Sequence, residues 1–108
     1  MMWKIDNGSK TGTTTAAYVS ALDWAVSELG DKTILLENTH ATSTLKYKLL
    51  GYAHSEGLDI TLVPETILSP AEVAEFHYAN QWDRLVLQVI DGTGHATYAL
   101  DYSGQGAS

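Results

Sequence analysis

Residues 13–29 read TTTAAYVSALDWAVSEL, and the period found in them decides the fold. Tyr18, Leu22, Ala25, Val26 and Leu29 fall at i, i+4, i+7, i+8 and i+11. That spacing gathers apolar side chains on one face of a helix. Ala17, Ala21 and Trp24 widen the stripe. The hydroxyls of Thr13, Thr14 and Thr15 offer N-caps, and Gly30 suits the position after the last turn. The stretch therefore predicts a helix that ends at Leu29.

The neighbouring segments follow from that reading. Met2 to Asp6 reads as a short strand. Thr33 to Glu37 is an unbroken apolar run, as in a strand covered on both faces. A second helix is expected over Ser43–Glu56, with Leu45, Leu49, Tyr52 and Ala53 along one side and Gly51 marking a close neighbour. Asp59 to Val63 reads as a third strand, stopped by Pro64. Ser69-Pro70-Ala71-Glu72 combines a capping-box Ser and Glu with Pro at the first helical position. A third helix is expected from there to Asn80, carrying Val73 and Phe76. Arg84–Asp91 and His95–Tyr102 read as two strands of an antiparallel hairpin about the Asp91-Gly92-Thr93-Gly94 turn. The expected order is β-α-β-α-β-α-β-β. It predicts a small three-layer α/β domain: a βαβαβ parallel-sheet core extended by a third helix and a C-terminal antiparallel β-hairpin. Residues 1–102 are expected to form one domain and residues 103–108 a flexible polar tail.

Composition narrows the function classes. The chain has 108 residues, a net charge of −7 and no cysteine. That excludes disulfides, thiolate metal sites and a cysteine nucleophile within it. Residues 1–48 hold five bases and five acids, whereas residues 49–108 hold Arg84 as their one base and eight acids. Such a balance disfavours nucleic acid as a partner. It marks the second half as a surface for a basic protein partner. Neither a signal peptide nor a membrane span is readable, so a cytoplasmic location away from membranes is expected.

In a parallel sheet, ligands favour loops at the carboxyl ends of strands. Two loops take that place here. The first supplies Asn7, Ser9, Lys10, Thr11, Gly12, Thr13 and Thr14, and the second Asn38, Thr39, Thr42, Ser43 and Thr44. Both would lead into helix N-termini, which attract anions, with Lys46 and Lys48 close to the second. These residues are the candidate ligand-binding set. The expected ligand is an anionic small molecule, a nucleotide or a phosphorylated metabolite. Gly8 to Thr13 lacks the lysine after its second glycine that a Walker A loop requires, and no G-x-G-x-x-G is present. Asp6, Glu37 and His40 form the candidate catalytic set, with His40 as acid or base on a phosphoryl or glycosyl bond. No histidine pair has metal-ligand spacing, and no cofactor is implied.

Over residues 1–65 the chain resembles the C-terminal domain of pyruvate kinase, in its strand–helix order and in Thr39, Thr42, Ser43 and Thr44. The resemblance implies a Thr/Ser-rich loop holding a phosphorylated effector, with His40 and Ala41 where that family has glycine. Three readings stay open: a small-molecule binding domain, a small enzyme on the same edge, and an acidic interaction or inhibitor protein. Tyr98 and Tyr102 offer a candidate surface for a second copy of the chain.

Overall fold

The apolar residues of 13–29 pack with a period of two. Leu22, Trp24 and Val26 are buried, whereas Asp23 and Ala25 are exposed. Alternation of this kind belongs to a strand with one face on a core. A bulge between Ser20 and Leu22 places Ala21 and Leu22 both inward. That doubling is what imitates helical spacing.

The structure, a computed structural model, describes residues 3–54, 56–80 and 82–107. Among them every regular element is a strand: β1 (Trp3–Thr13), β2 (Val19–Ala25), β3 (Asp31–Asn38), β4 (Leu45–Tyr52), β5 (Asp59–Leu68), β6 (Val73–Tyr78), β7 (Arg84–Asp91) and β8 (Thr97–Ala107). They form two four-stranded sheets, ordered β1-β8-β3-β6 and β2-β7-β4-β5. Every pairing is antiparallel. This is the strand order of an eight-stranded jelly roll, in which successive strands cross between two packed sheets except at β4 and β5, which pair with each other.

The α/β expectation is therefore overturned, together with its parallel sheet, its helices and its terminal hairpin. β4 shows why. Leu45, Tyr47 and Leu49 point inward at i, i+2 and i+4, and an i, i+4 pair satisfies both the helical and the strand period. Ser69-Pro70-Ala71-Glu72 does not start a helix either. Glu72 N–H donates to Ser69 O at 3.0 Å and Ser69 N–H donates to the Glu72 carboxylate at 2.7 Å. Ala71 has φ 66°, as the third residue of a type II turn requires. The capping-box contacts close a β-turn between β5 and β6. β7 and β8 lie in different sheets, so the Asp91–Gly94 turn crosses between layers. Residues 103–107 are paired with β1, and 103–105 also with β3, as the end of β8. Met2 of the expected first strand, Ser55 of the expected second helix and Ser108 of the expected tail lie outside the described residues.

The inner faces meet in one apolar core. Leu22, Trp24, Leu49 and Leu87 of the second sheet face Ile34, Leu36, Phe76 and Leu100 of the first. Tyr47 and Phe76 meet edge to face at 5.5 Å, and Trp24 and Tyr102 at 4.9 Å. Tyr98 and Tyr102 lie opposite Gly12 and Gly8 of β1. A Cβ at Gly12 would stand 2.5 Å from the Tyr98 hydroxyl oxygen, and one at Gly8 would stand 2.6 Å from that of Tyr102. The two rings thus fill the space left by the glycines of an edge strand. At Gly51 a Cβ would stand 2.9 Å from Leu62 and 3.1 Å from the Trp82 ring, which is the close neighbour expected there.

Lys32 is the one charged side chain among the buried residues described, at 1% exposure. Its ammonium donates to the carbonyls of Leu29 (3.2 Å), Gly30 (2.7 Å) and Asn80 (2.7 Å). It ties the β2–β3 turn to the β6–β7 turn. Burial holds its pKa below the usual 10.5, against the opposing charge of Asp31.

Two stability measurements check this packing. Gly12→Ala should destabilise by about 1–3 kcal/mol in urea unfolding. Gly8→Ala should cost less, because Tyr102 is half-buried whereas Tyr98 is buried. Lys32→Met keeps the apolar stem but orphans three carbonyls. It should lower stability by about 2–4 kcal/mol.

Candidate functional site

The two hydroxyl-bearing segments do meet, though not as loops before helices. The β1–β2, β3–β4, β5–β6 and β7–β8 connections share one end of the sandwich. Their backbones are cross-linked: Thr14 N–H to Ala96 O at 2.8 Å, Thr39 N–H to Thr97 O at 3.0 Å, and Gly92 N–H to Thr44 O at 3.0 Å.

The side chains there bind one another. Thr14 Oγ1 donates to Asp91 Oδ1 at 2.7 Å and accepts Ala96 N–H at 2.8 Å. Thr44 N–H donates to Thr93 Oγ1 at 2.9 Å, and Thr93 N–H donates back to Thr44 Oγ1 at 3.0 Å. Thr39 Oγ1 donates to Thr97 Oγ1 at 3.0 Å. Buried Asn38 donates to Ser43 O at 2.9 Å and Leu68 O at 3.0 Å, and accepts His40 N–H at 2.9 Å. His40 Nδ1 accepts the N–H groups of Thr42 (3.1 Å) and Ser43 (2.9 Å). That ring nitrogen is therefore unprotonated, and the proton of the neutral ring sits on Nε2.

The sequence reading missed Asp91, Thr93, His95 and Thr97 as partners of these groups. Their one signal was a turn motif, which says nothing of its neighbours across the sandwich. His95 Nδ1 lies 2.9 Å from Asp91 Oδ2. The Asp91 carboxyl is held below its usual 3.8, first by the Thr14 hydrogen bond and then by the bond and charge of His95, with desolvation opposing both.

The other candidates are spread along β1 and over the sheets. Asp6 pairs with Gly104 and Glu37 with Ala99. Five residues of β8 separate those points, or about 17 Å. Asp6 accepts the Trp24 Nε1 proton at 2.9 Å on the inward side. Glu37 is exposed on the outer face of the first sheet. Asp6, Glu37 and His40 therefore do not share one site. Asn7, Ser9, Thr11 and Thr13 are exposed on that same outer face, where Ser9 Oγ donates to Asp101 Oδ1 at 2.5 Å. Gly12 faces Tyr98, and Lys10 is exposed.

Lys46 and Lys48 lie on β4, on the outer face of the second sheet. Lys48 Nζ stands 4.2 Å from the Tyr18 ring centroid. The Tyr18 hydroxyl donates to Glu65. Its pKa is pushed up to about 12 by burial and then by the bond and charge of Glu65. Arg84 lies 4.2 Å over Tyr52, with Nε 2.8 Å from Asp23. The acids of the second half do not form one surface. Asp59 and Glu65 belong to β5, Glu75 to β6 and Asp101 to β8, so they are divided between the sheets.

The sheet edges differ from one another. β1 pairs with β8 over eleven consecutive residues without a register shift, and nothing pairs its other side among the described residues. β2 carries a bulge, β5 carries two irregularities and Pro64, and β6 has six residues. β1 is thus the long, regular open edge.

No protein-family model matches the chain. No curated protein matches it either. Solved structures do. The structure of Bacillus endospore appendages, disulfide-linked pili, is similar at TM-score 0.62 and 9% identity, over 97% of this chain and 89% of that one. PirA is similar at TM-score 0.65 and 14% identity, over 87% and 92%. The Yersinia pseudotuberculosis-derived mitogen is similar at TM-score 0.62 and 13% identity, over 90% and 84%. These likenesses show the all-β fold. With no βα loops and no helix N-termini among the described residues, the expected nucleotide or phosphate site loses its physical basis. The reading of a small-molecule binding domain or a small phosphoryl- or glycosyl-bond enzyme on that edge is corrected accordingly.

The Thr14–Asp91 contact sets a pH dependence. Because the folded carboxyl titrates below its unfolded value, its stabilisation is present above the usual carboxylate pKa and is lost as pH falls through the lowered one. Thr14→Val should cost about 1–3 kcal/mol at neutral pH. In thermal unfolding across the acid range, the gap between wild type and variant should narrow as pH falls.

Proposed function

We propose that the chain is a structural building block, a jelly roll that works by associating with copies of itself. The observation that carries this reading is the free edge of β1. Eleven residues of regular strand present backbone N–H and C=O groups with no bulge and no proline. Such an edge is a template for another strand. The contacts at the loop end support the same reading, since the hydroxyls there serve to close loops. The fold likeness to the subunits of endospore pili is in keeping with it. Disulfide linkage is closed to these 108 residues, which contain no cysteine. Association here therefore rests on strand edges and faces.

Sedimentation equilibrium across a wide protein concentration range tests the reading, with electron microscopy of the concentrated protein. A mass rising above the 11.7 kDa of one chain is expected. A single monomeric species at every concentration would sink the proposal.

A further inference from the structure

The free edge of β1 also specifies its partner and its register; this step rests on the assembly reading above. We infer that β1 pairs antiparallel with β1 of a second copy about a two-fold axis through Gly8. The strand runs from Trp3 to Thr13, so Gly8 is its midpoint. Full overlap of two antiparallel copies places Gly8 opposite Gly8, Asn7 opposite Ser9, Asp6 opposite Lys10, and Ile5 opposite Thr11. Residues directly opposite each other in an antiparallel pair share a face and lie close enough to interact. The register with the greatest overlap is thus the one that forms an Asp6–Lys10 ion pair, and symmetry forms it twice.

Three further observations agree. Lys10 is exposed, and no ion pair engages it among the described residues. Gly8 and Gly12 carry no side chains, and Tyr102 and Tyr98 fill their inner side, so the edge is narrow where the axis passes. Ile5, 65% exposed, gains a partner in Thr11 of the second copy. A lysine in an edge strand ordinarily guards against pairing. Here the guard is neutralised by one registration with one partner, a second copy, and is left in force against others. The product is an isologous dimer with one continuous eight-stranded sheet, ordered β6-β3-β8-β1 and then the same four strands in reverse.

Charge exchange decides it. Lys10→Glu places two like-charged pairs in the interface, and so does Asp6→Lys. Each variant alone should raise the dimer dissociation constant about tenfold. Mixed together, the two variants restore opposite charges at both positions and should form a heterodimer of near wild-type affinity. Near-ultraviolet circular dichroism verifies that each variant is folded, because Asp6 also accepts the Trp24 proton. If Asp6→Lys does not fold, Lys10→Glu decides alone: its dimer should be weak at low salt and recover as salt is added, whereas the wild-type dimer should weaken. A wild-type oligomer indifferent to Lys10→Glu, or folded variants that fail to associate when mixed, overturns this pairing and leaves the assembly reading standing. A wild-type protein that is monomeric throughout overturns both.

Discussion

The first sheet depends on the pairing of β8 with strands on both its sides. β8 holds β1 along eleven residues and β3 along eight. Its alternate residues Tyr98, Leu100 and Tyr102 cover the core, and its last turns of pleat accommodate Trp24 and Leu29 where Gly104 and Gly106 carry no side chain. Among the described residues β1 has no other strand partner, so β1 is set in its sheet only when β8 arrives. Contacts of such sequence separation close large loops before they yield any stabilisation, which makes the topology intrinsically slow to form.

What was legible in the sequence follows from this topology. The strands with strong local character, β3, β7 and the first half of β8, stand where their apolar runs placed them. Those read as helices failed for identifiable reasons. In β2 the bulge at Ser20–Leu22 breaks the alternation and brings Ala21 beside Leu22. In β4, Leu50 follows Leu49 and is also buried, though on the other face, so both faces of the strand look apolar. In β6 a turn dressed as a capping box precedes Ala74 and Phe76. Pro64 did not end β5, because β5 is an edge strand and tolerates proline there. The candidate site was legible in part. The hydroxyl-bearing segments do converge, but the groups they bind, Asp91, Thr93 and Thr97, come from a distant turn. Only the order of strands in space brings them together.

The charge asymmetry changes meaning in the same way. Along the chain, the excess of acid lies in residues 49–108. In space, the jelly roll gives each sheet strands from both halves of the chain, so no half of the chain owns a face. The outward residues Asp31, Glu37, Glu75 and Asp101 of the first sheet come from both halves. Lys46, Lys48 and Arg84 stand on the outer face of the other sheet, Lys48 over Tyr18 and Arg84 over Tyr52 and beside Asp23. Leu50 and Val86, partners across β4 and β7, face outward yet are 7% and 2% exposed. A second thin apolar layer therefore lies beneath that surface, outside the main core.

The pairing of Trp3 with Ala107 has a mechanical consequence. The two residues face each other across one ladder, whose hydrogen bonds run perpendicular to the strands. Tension applied at these two points acts along those bonds and opens them one after another, as a zipper opens. Tension applied instead along β1, by a strand bound to its free edge, loads many bonds together in shear. The same sheet is thus weak to a pull at its paired ends and strong to a pull carried along its outer strand.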